Sequence, residues 1–440
     1  MIKWNLLSAE EQRKVLARPA LADATSLKQT VSGIIARVQK EGDKAVLALT
    51  QEFDKAKLNA LALSSDALAC AEDELDEEIK AAIHVAYDNI RRFHEAQRPT
   101  DITLQTQPGV FCEQRTVALD SVGLYIPGGT APLPSTVLML GVPAQVAECR
   151  QRILCTPPNS KGQIAAEIRY AAKLCGISQI FLCGGAQAIA AMAFGTASIP
   201  KVDKIYGPGN SFVTEAKQQV STTASGAAID MPAGPSEVLV LADAYANPAF
   251  IAADMLSQAE HGRDSQAVLV CNSEKLINQV TREVDRQLEQ LNRNEIARAA
   301  MQHGRYILTE SFAEAIEVSN AYAPEHLIVQ ADNARGWLSK IRHAGSVFLG
   351  QWSPESAGDY ASGTNHVLPT YGYSRMYSSL GLLDFMRRFT VQELTESGFK
   401  ALAPSLIALS QAEGLDAHAK AVSLRTDALN AKANDSGVSS

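Results

Sequence analysis

Val122-Gly123-Leu124-Tyr125-Ile126-Pro127-Gly128-Gly129-Thr130 is a short apolar run closed by Pro and Gly, and an amphipathic stretch follows it. A run of this length bounded by turn residues reads as a buried strand entering a helix. The unit recurs at Arg152–Thr156, Gln179–Cys183, Val202–Tyr206, Glu237–Ala242, Ala267–Cys271 and His326–Val329. Helices are predicted between these runs at Ile164–Cys175, Ala186–Phe194, Ser211–Ser221 and Pro248–Glu260. Such alternation predicts an α/β fold with doubly wound parallel sheets, and this many strands makes two of them. Outward from this centre the pattern turns helical on both sides. Apolar periodicity covers Leu27–Phe53 and, after the acidic stretch Glu72–Glu78, Ile79–Phe93. After Gly381 helices are predicted again, Val391–Ser397 and Pro404–Glu413 among them, and the polar Asn434–Ser440 is expected to be disordered.

At roughly 150 residues per domain, a chain of 440 residues asks for about three domains. Hydrophobic residues at 46% and charged residues at 20% exclude a disordered, collagen-like or disulfide-scaffold chain. The net charge of −8, with no basic block, argues against a nucleic-acid partner. The seven cysteines form an odd count without a CxxC pair, as expected of free thiols in a reducing compartment. Charged residues break up the N-terminus, and no stretch approaches the ~18 apolar residues of a membrane span. A cytoplasmic protein without membrane contact is therefore expected.

Glycine-rich turns after strands are where α/β sheets bind phosphates, because backbone N–H groups and a helix N-terminus face the anion. Three are candidates: Pro127-Gly128-Gly129-Thr130, Gly184-Gly185-Ala186-Gln187 and Gly207-Pro208-Gly209-Asn210. None fits G-x-G-x-x-G, so ordinary strand-to-helix turns are the favoured reading, and these glycines alone do not imply a cofactor. In Asn247–Gly262, an N-cap Asn, Pro248 and a closing Gly mark one helix, and Asp254, Gln258 and His261 share a face near its C-terminal end. That stripe suits a metal or a substrate, although a terminal His also simply caps a helix. Pro324-Glu325-His326 puts a carboxylate and an imidazole at a strand edge, a pair able to divide proton transfers, or else a solvated Glu and a structural His. The stretch Ser353–Pro369, rich in Gly, Ser and Asn and holding Asp359 and His366, is the strongest local signal, because long unstructured loops in compact domains are usually functional. Glu413 and His418 read as a solvated pair, and no cysteine has an adjacent His to make it a nucleophile.

Ile229-Asp230-Met231-Pro232-Ala233-Gly234-Pro235-Ser236-Glu237, followed by Leu256-Ser257-Gln258-Ala259-Glu260-His261, resembles the signature of the histidinol dehydrogenases. Tyr206–Asn210, Pro324-Glu325-His326 and the Ser353–Pro369 loop resemble other hallmark segments, and the similarity runs from the N-terminal helices to about Arg425. The resemblance implies a zinc-dependent, NAD-linked oxidation of L-histidinol to L-histidine in two steps through an enzyme-held L-histidinaldehyde. It implies Gln258, His261, Asp359 and His418 as ligands of one zinc per subunit, His326 as the base for the alcohol proton, and Glu325 as the group that activates water. Ser236, His366 and Glu413 match substrate contacts, beside the metal ligands and His326; Tyr125, Gln187 and Asn210 match NAD contacts. No departure occurs at these positions; the polar Asn159–Gln163 and the tail depart elsewhere. A Gln ligand would equally suit manganese or cobalt.

The resemblance also implies a homodimer whose C-terminal segment crosses to the partner, so that His418 and Glu413 complete the neighbouring site. The expected organisation is an N-terminal helical segment (1–26), a first Rossmann-like domain (27–120 and 237–380), a second, NAD-binding one (121–236) and a C-terminal arm (381–440). Two rival readings stay open from residues alone: a dehydrogenase for another amino alcohol or polyol, and a non-catalytic dimeric zinc-binding protein, which would not need Glu325 or His326.

Overall fold

The computed structural model describes residues 1–18, 24–128, 131–232 and 234–436. Gly129, Thr130 and Ala233 of the motifs above, residues 19–23 of the N-terminal segment and residues 437–440 of the tail lie outside the described residues. In chain order the elements are β1 (Ile2–Lys3), α1 (Ala9–Val15), α2 (Ala24–Glu41), α3 (Asp43–Phe53), α4 (Ser65–Ala69), α5 (Glu77–Glu95), β2 (Ile102–Gln107), β3 (Val110–Ala118), β4 (Ser121–Tyr125), α6 (Pro134–Val146), β5 (Gln151–Thr156), α7 (Ala166–Leu174), β6 (Gln179–Leu182), α8 (Gly185–Phe194), β7 (Lys204–Tyr206), α9 (Ser211–Ser221) and β8 (Ala228–Ile229). They continue with β9 (Glu237–Ala242), α10 (Pro248–Ala259), β10 (Gln266–Cys271), α11 (Glu274–Leu288), α12 (Asn294–Met301), β11 (Arg305–Leu308), α13 (Phe312–Tyr322), β12 (His326–Gln330), β13 (Ser346–Leu349), α14 (Glu355–Tyr360), β14 (Met386–Leu394), α15 (Glu396–Ala412) and α16 (Asp416–Ser436). They fall into two units, residues 1–97 with 119–385 and residues 98–118 with 386–440.

The first unit holds two parallel sheets. One has five strands in the order β6-β5-β4-β7-β8, the other six in the order β1-β11-β10-β9-β12-β13. Apart from β1 at the edge of the second, the chain in each starts on a central strand, builds to one side and then crosses to the other, which opens a crevice beside that strand at the carboxyl ends. β4, β9, β10 and β12 are buried along their whole length. Strands covered on both faces carry unbroken apolar runs, which is why they are legible in the sequence. Val31, Ile34, Leu49, Ile189 and Val213 form one core around the five-stranded sheet. α10, α11 and α12 cover one face of the six-stranded sheet, and α13 with Trp4 the other.

Four expectations are corrected here. Residues 27–97 do not join 237–380: α2 packs on α8 and α9, α3 on α8, and α5 on α6, all helices of the five-stranded sheet. An amphipathic period states that a face is buried and leaves open which sheet buries it. The segment 1–26 is not wholly helical, because β1 extends the edge of the six-stranded sheet beside β11. Val391–Ser397 is not a helix; β14 runs to Leu394, and α15 starts at Glu396 behind a Thr395 cap. The tail is helical as far as Ser436.

In the second unit, β14, β3 and β2 form an antiparallel sheet, and α15 pairs with α16. Phe389, Leu409, Leu415 and Leu424 of this unit are exposed.

Candidate active site

The six-stranded sheet brings a cluster together at its amino edge. β9 and β12 lie side by side and parallel with His326 opposite Val238, so Glu237 and His326 begin adjacent strands. α10 starts on its Asn247 cap and Pro248, as predicted, and runs back to that edge, where its last turn delivers Gln258 and the turn that follows it His261. α14 supplies Glu355 and Asp359 four residues apart, on one helical face.

His326 is 4% exposed. Its Nδ1 lies 3.2 Å from the Glu237 carbonyl, and a carbonyl can only accept, so Nδ1 carries a proton and, in the neutral ring, Nε2 carries the lone pair. Nε2 is buried, has no hydrogen-bond partner among the described residues, and lies 3.7 Å from Asp359 Oδ1. Glu325 Oε2 sits 3.6 Å from His326 Nδ1 and accepts the Glu237 N–H at 2.8 Å. Burial pushes the Glu325 carboxyl up to about 7, against the opposing pull of His326. Burial lowers the His326 imidazole, but Glu355, Glu325 and Asp359 outweigh it and raise the ring to about 10. Burial also acts to raise Asp359, yet the neighbouring His326 outweighs it and holds that carboxyl below its usual range.

One ligand atom each from His261, Glu355 and Asp359 lie within 4.8 Å of one another. Gln258 lies beside them, one end of its amide against the Glu355 carboxylate and the other 3.0 Å from the Glu237 nitrogen. One imidazole, two carboxylates and an amide make a donor set of nitrogen and oxygen that fits a divalent cation such as zinc, manganese or cobalt. Glu355 is the member that sequence reading missed. A Glu in the first helical turn reads as a complement to the helix dipole, and only its burial marks it out. Asp254, on the same stripe as Gln258 and His261, instead accepts Gln330 Nε2 at 2.9 Å. The Ser353–Pro369 stretch is only partly a loop, since α14 occupies Glu355–Tyr360 of it. His366, half-buried, sets its Nδ1 2.9 Å from the Asp359 carbonyl. Ser236 is half-buried just before β9.

A second site lies at the carboxyl ends of the five-stranded sheet. There a cavity of about 1440 Å³ is lined by Tyr125, Gln187 and Asn210 together with Phe53, Asp54 and Leu182. All three glycine-rich turns reach this edge. The Gly185 N–H, at the start of α8, donates to the Tyr125 hydroxyl at 3.0 Å. Asn210 caps α9 by accepting from the Phe212 and Val213 N–H groups at 3.1 Å. Gly207 has a φ of +123°, and a Cβ there would run into the Tyr125 carbonyl, so this turn requires glycine. Gln187 Oε1 is buried without a partner among the described residues. Two helix N-termini, unpaired polar atoms and this volume fit a dinucleotide. α6 ties the two places together, since Asn365 donates to the Met139 carbonyl at 2.7 Å and Thr136 Oγ1 lies 3.4 Å from His366 Nε2.

Glu413 and His418 are not among these groups. They belong to the second unit, at the end of α15 and the start of α16, and both are exposed.

A family model described as histidinol dehydrogenase matches residues 17–426. The histidinol dehydrogenase of Colwellia psychrerythraea is 57% identical over 427 residues, covering 97% of this chain and 98% of the relative. That of Vibrio parahaemolyticus is 56% identical over 428 residues, with coverage of 97% and 98%. The crystal structure of histidinol dehydrogenase from Elizabethkingia anophelis matches with a TM-score of 0.94 at 46% identity, covering 98% of each chain.

Proposed function

The chain belongs to the histidinol dehydrogenase family and is thereby an oxidoreductase that converts histidinol to histidine in histidine biosynthesis; from that premise we propose that it does so in two NAD-linked steps, with zinc, through an enzyme-held L-histidinaldehyde. The observation that carries this reading is the unpaired, buried Nε2 of His326 beside a separate buried carboxyl, Glu325.

Hydride leaves the carbinol carbon only as the hydroxyl proton departs, so a base must reach that oxygen. His326 Nε2 takes this proton, and the Glu237 carbonyl keeps the ring in the tautomer that can do so. When bound to His261, Asp359 and Gln258, the cation would orient the imidazole and amino nitrogens of histidinol and offset the carboxylates that otherwise keep His326 protonated. The aldehyde left by the first oxidation has no hydride to give until water adds to it. Glu325 takes one proton from that water as its oxygen bonds to the aldehyde carbon, and the hydrate yields the second hydride and the carboxylate product. A carboxyl raised to about 7 is suited to accept and release a proton near neutrality. NAD, the hydride acceptor in both steps, fits the cavity lined by Tyr125, Gln187 and Asn210. Ser236 and His366 stand where they can contact the substrate.

We read the two parallel sheets as Rossmann-like. We place His418 and Glu413 in the neighbouring subunit's site, completing its metal ligands and substrate contacts. The support is their position in a unit that carries exposed Phe389, Leu409, Leu415 and Leu424, apolar surface that a second chain would cover. The seven free thiols fit a cytoplasmic location, and no helix among the described residues is long and apolar enough to cross a membrane.

A trapping experiment tests the two-step reading. With histidinol, NAD and an aldehyde-trapping hydrazine, the product should be histidine with little trapped adduct. Adduct accumulating in proportion to turnover would contradict an enzyme-held intermediate.

A further inference from the structure

Arg18 stands in the N-terminal segment, and its guanidinium bonds the frame that carries Glu325 and His326. Its Nε donates to both oxygens of the Glu237 carboxylate, at 3.2 and 2.9 Å, and its Nη2 lies 2.8 Å from one of them. The same Nη2 donates to the Tyr322 and Ala323 carbonyls at 2.9 and 3.1 Å, and the guanidinium lies over the Tyr322 ring, 4.0 Å from its centre. Glu237 is 1% exposed, and its carboxylate also accepts the Tyr371 N–H. Alternation along the strands puts that carboxylate on the opposite face of the sheet from His326. Leu239 and Leu241 face α13, whereas Val238, opposite His326, faces α10.

Two lines lead from Arg18 to the pair. The first is Glu237, whose N–H donates to Glu325 at 2.8 Å and whose carbonyl lies 3.2 Å from His326 Nδ1. The second is the end of α13. Ala323 closes that helix at a φ of +56°, a left-handed conformation uncommon outside glycine, and Glu325 follows two residues later. The last carbonyls of a helix have no partner within it, and here Arg18 supplies one.

We propose that Arg18 is a positioning residue for the oxidation: from the far face of the six-stranded sheet it ties Glu237 to the end of α13, and so holds the backbone that orients Glu325 and His326. The proposal rests on the roles given above to those two residues. A guanidinium suits the task because its planar fork bonds a carboxylate and carbonyls at once. If Arg18 only anchored the N-terminal segment, its loss would cost stability and leave the turnover of the folded enzyme intact. If it positions the pair, turnover falls even where stability is restored, because a shift of about 1 Å in a reacting group costs up to about 10²-fold.

The test compares kcat, the KM values for histidinol and NAD, and thermal unfolding for the wild type, R18K, R18M, R18M/E237Q and H326N, each with zinc supplied. R18M leaves the buried Glu237 charge without its partner and should melt lower, whereas R18M/E237Q removes both charges and should regain most of that loss. In both, kcat should fall about 10- to 10²-fold while the KM for NAD changes by less than about twofold. R18K, whose single ammonium cannot span the carboxylate and both carbonyls, should lie between. Recovery of kcat along with stability in R18M/E237Q would overturn the proposal. So would a fall in kcat matched by a like rise in the KM for NAD, the mark of general loosening. H326N separates this from failure of the catalytic reading: if H326N loses turnover and R18M/E237Q does not, only the role of Arg18 falls, and if H326N turns over unchanged, both do. Should the R18M variants not fold, R18K decides, an unchanged kcat counting against the proposal.

Discussion

His326 is held by one nitrogen and free at the other, and that asymmetry is what the proposed chemistry uses. H326N keeps the volume and one donor but has no base of the right strength, so kcat/KM for histidinol should fall by about 10²- to 10⁴-fold. Histidinol binding, measured by calorimetry, should change much less; loss of binding in step with turnover would show that the residue holds substrate instead of moving its proton. In E325Q the first oxidation should survive and the second slow, so that pre-steady-state NADH formation shows a fast phase of about one equivalent. Equal slowing of both phases would remove Glu325 from the hydration step.

Asp54, in the wall of the dinucleotide cavity, carries a buried Oδ2 without a partner among the described residues, and burial pushes its carboxyl up to about 6. The folded state therefore binds the proton more tightly than the unfolded chain. Stability from this group is present below the usual carboxylate range and is lost as pH rises towards and through 6. D54N removes that loss, so its advantage over the wild type should grow from near zero at pH 4 to about 2 kcal/mol at pH 7, after discounting for partial exposure. A constant difference in thermal stability across that range would contradict it. Residues differed in legibility for a physical reason. Gln258 and His261 could be found because capped helices expose their spacing, whereas the burial of Glu355 and Asp54 is set by distant segments.

At the scale of elements, the turn that carries Asn210 is pinned from behind. The Asp230 carboxylate accepts the Gly207 N–H at 2.8 Å and is ion-paired with Lys217, which itself donates to the Gly207 carbonyl at 2.9 Å. Lys217 and Asp230 are both almost wholly buried. Removing one partner strands the other charge, so K217M should cost about 3–5 kcal/mol in stability and weaken NAD binding by more than it weakens histidinol binding. Equal effects on both ligands would mean that the pair supports the fold alone. The buried parallel strands were readable because each is a continuous apolar run. β11 and β13, each fully buried at one residue of four, carry no such run. β14, with Arg387, Arg388 and Glu393 along it, was missed because its partner β3 lies more than two hundred residues earlier in the chain.

For the whole molecule, two sheets of the same winding supply two different edges: the amino edge of one gathers imidazole and carboxylates, and the carboxyl edge of the other frames the dinucleotide cavity. His418 and Glu413 stand outside this unit, and the shared-site reading makes a genetic prediction. H326N and H418A homodimers should each be nearly inactive, while co-expressed chains should regain activity, because a mixed dimer contains one site with both residues intact. No recovery in isolated mixed dimers would place His418 in the site of its own chain. The central claim is a four-electron oxidation of histidinol assisted by a metal, and the most direct measurement is the yield of NADH per histidinol consumed by metal-loaded protein, before and after chelation. Two NADH per histidine formed, abolished by the chelator and restored by zinc, is the expected result; one NADH per histidinol, or a yield indifferent to chelation, would contradict it.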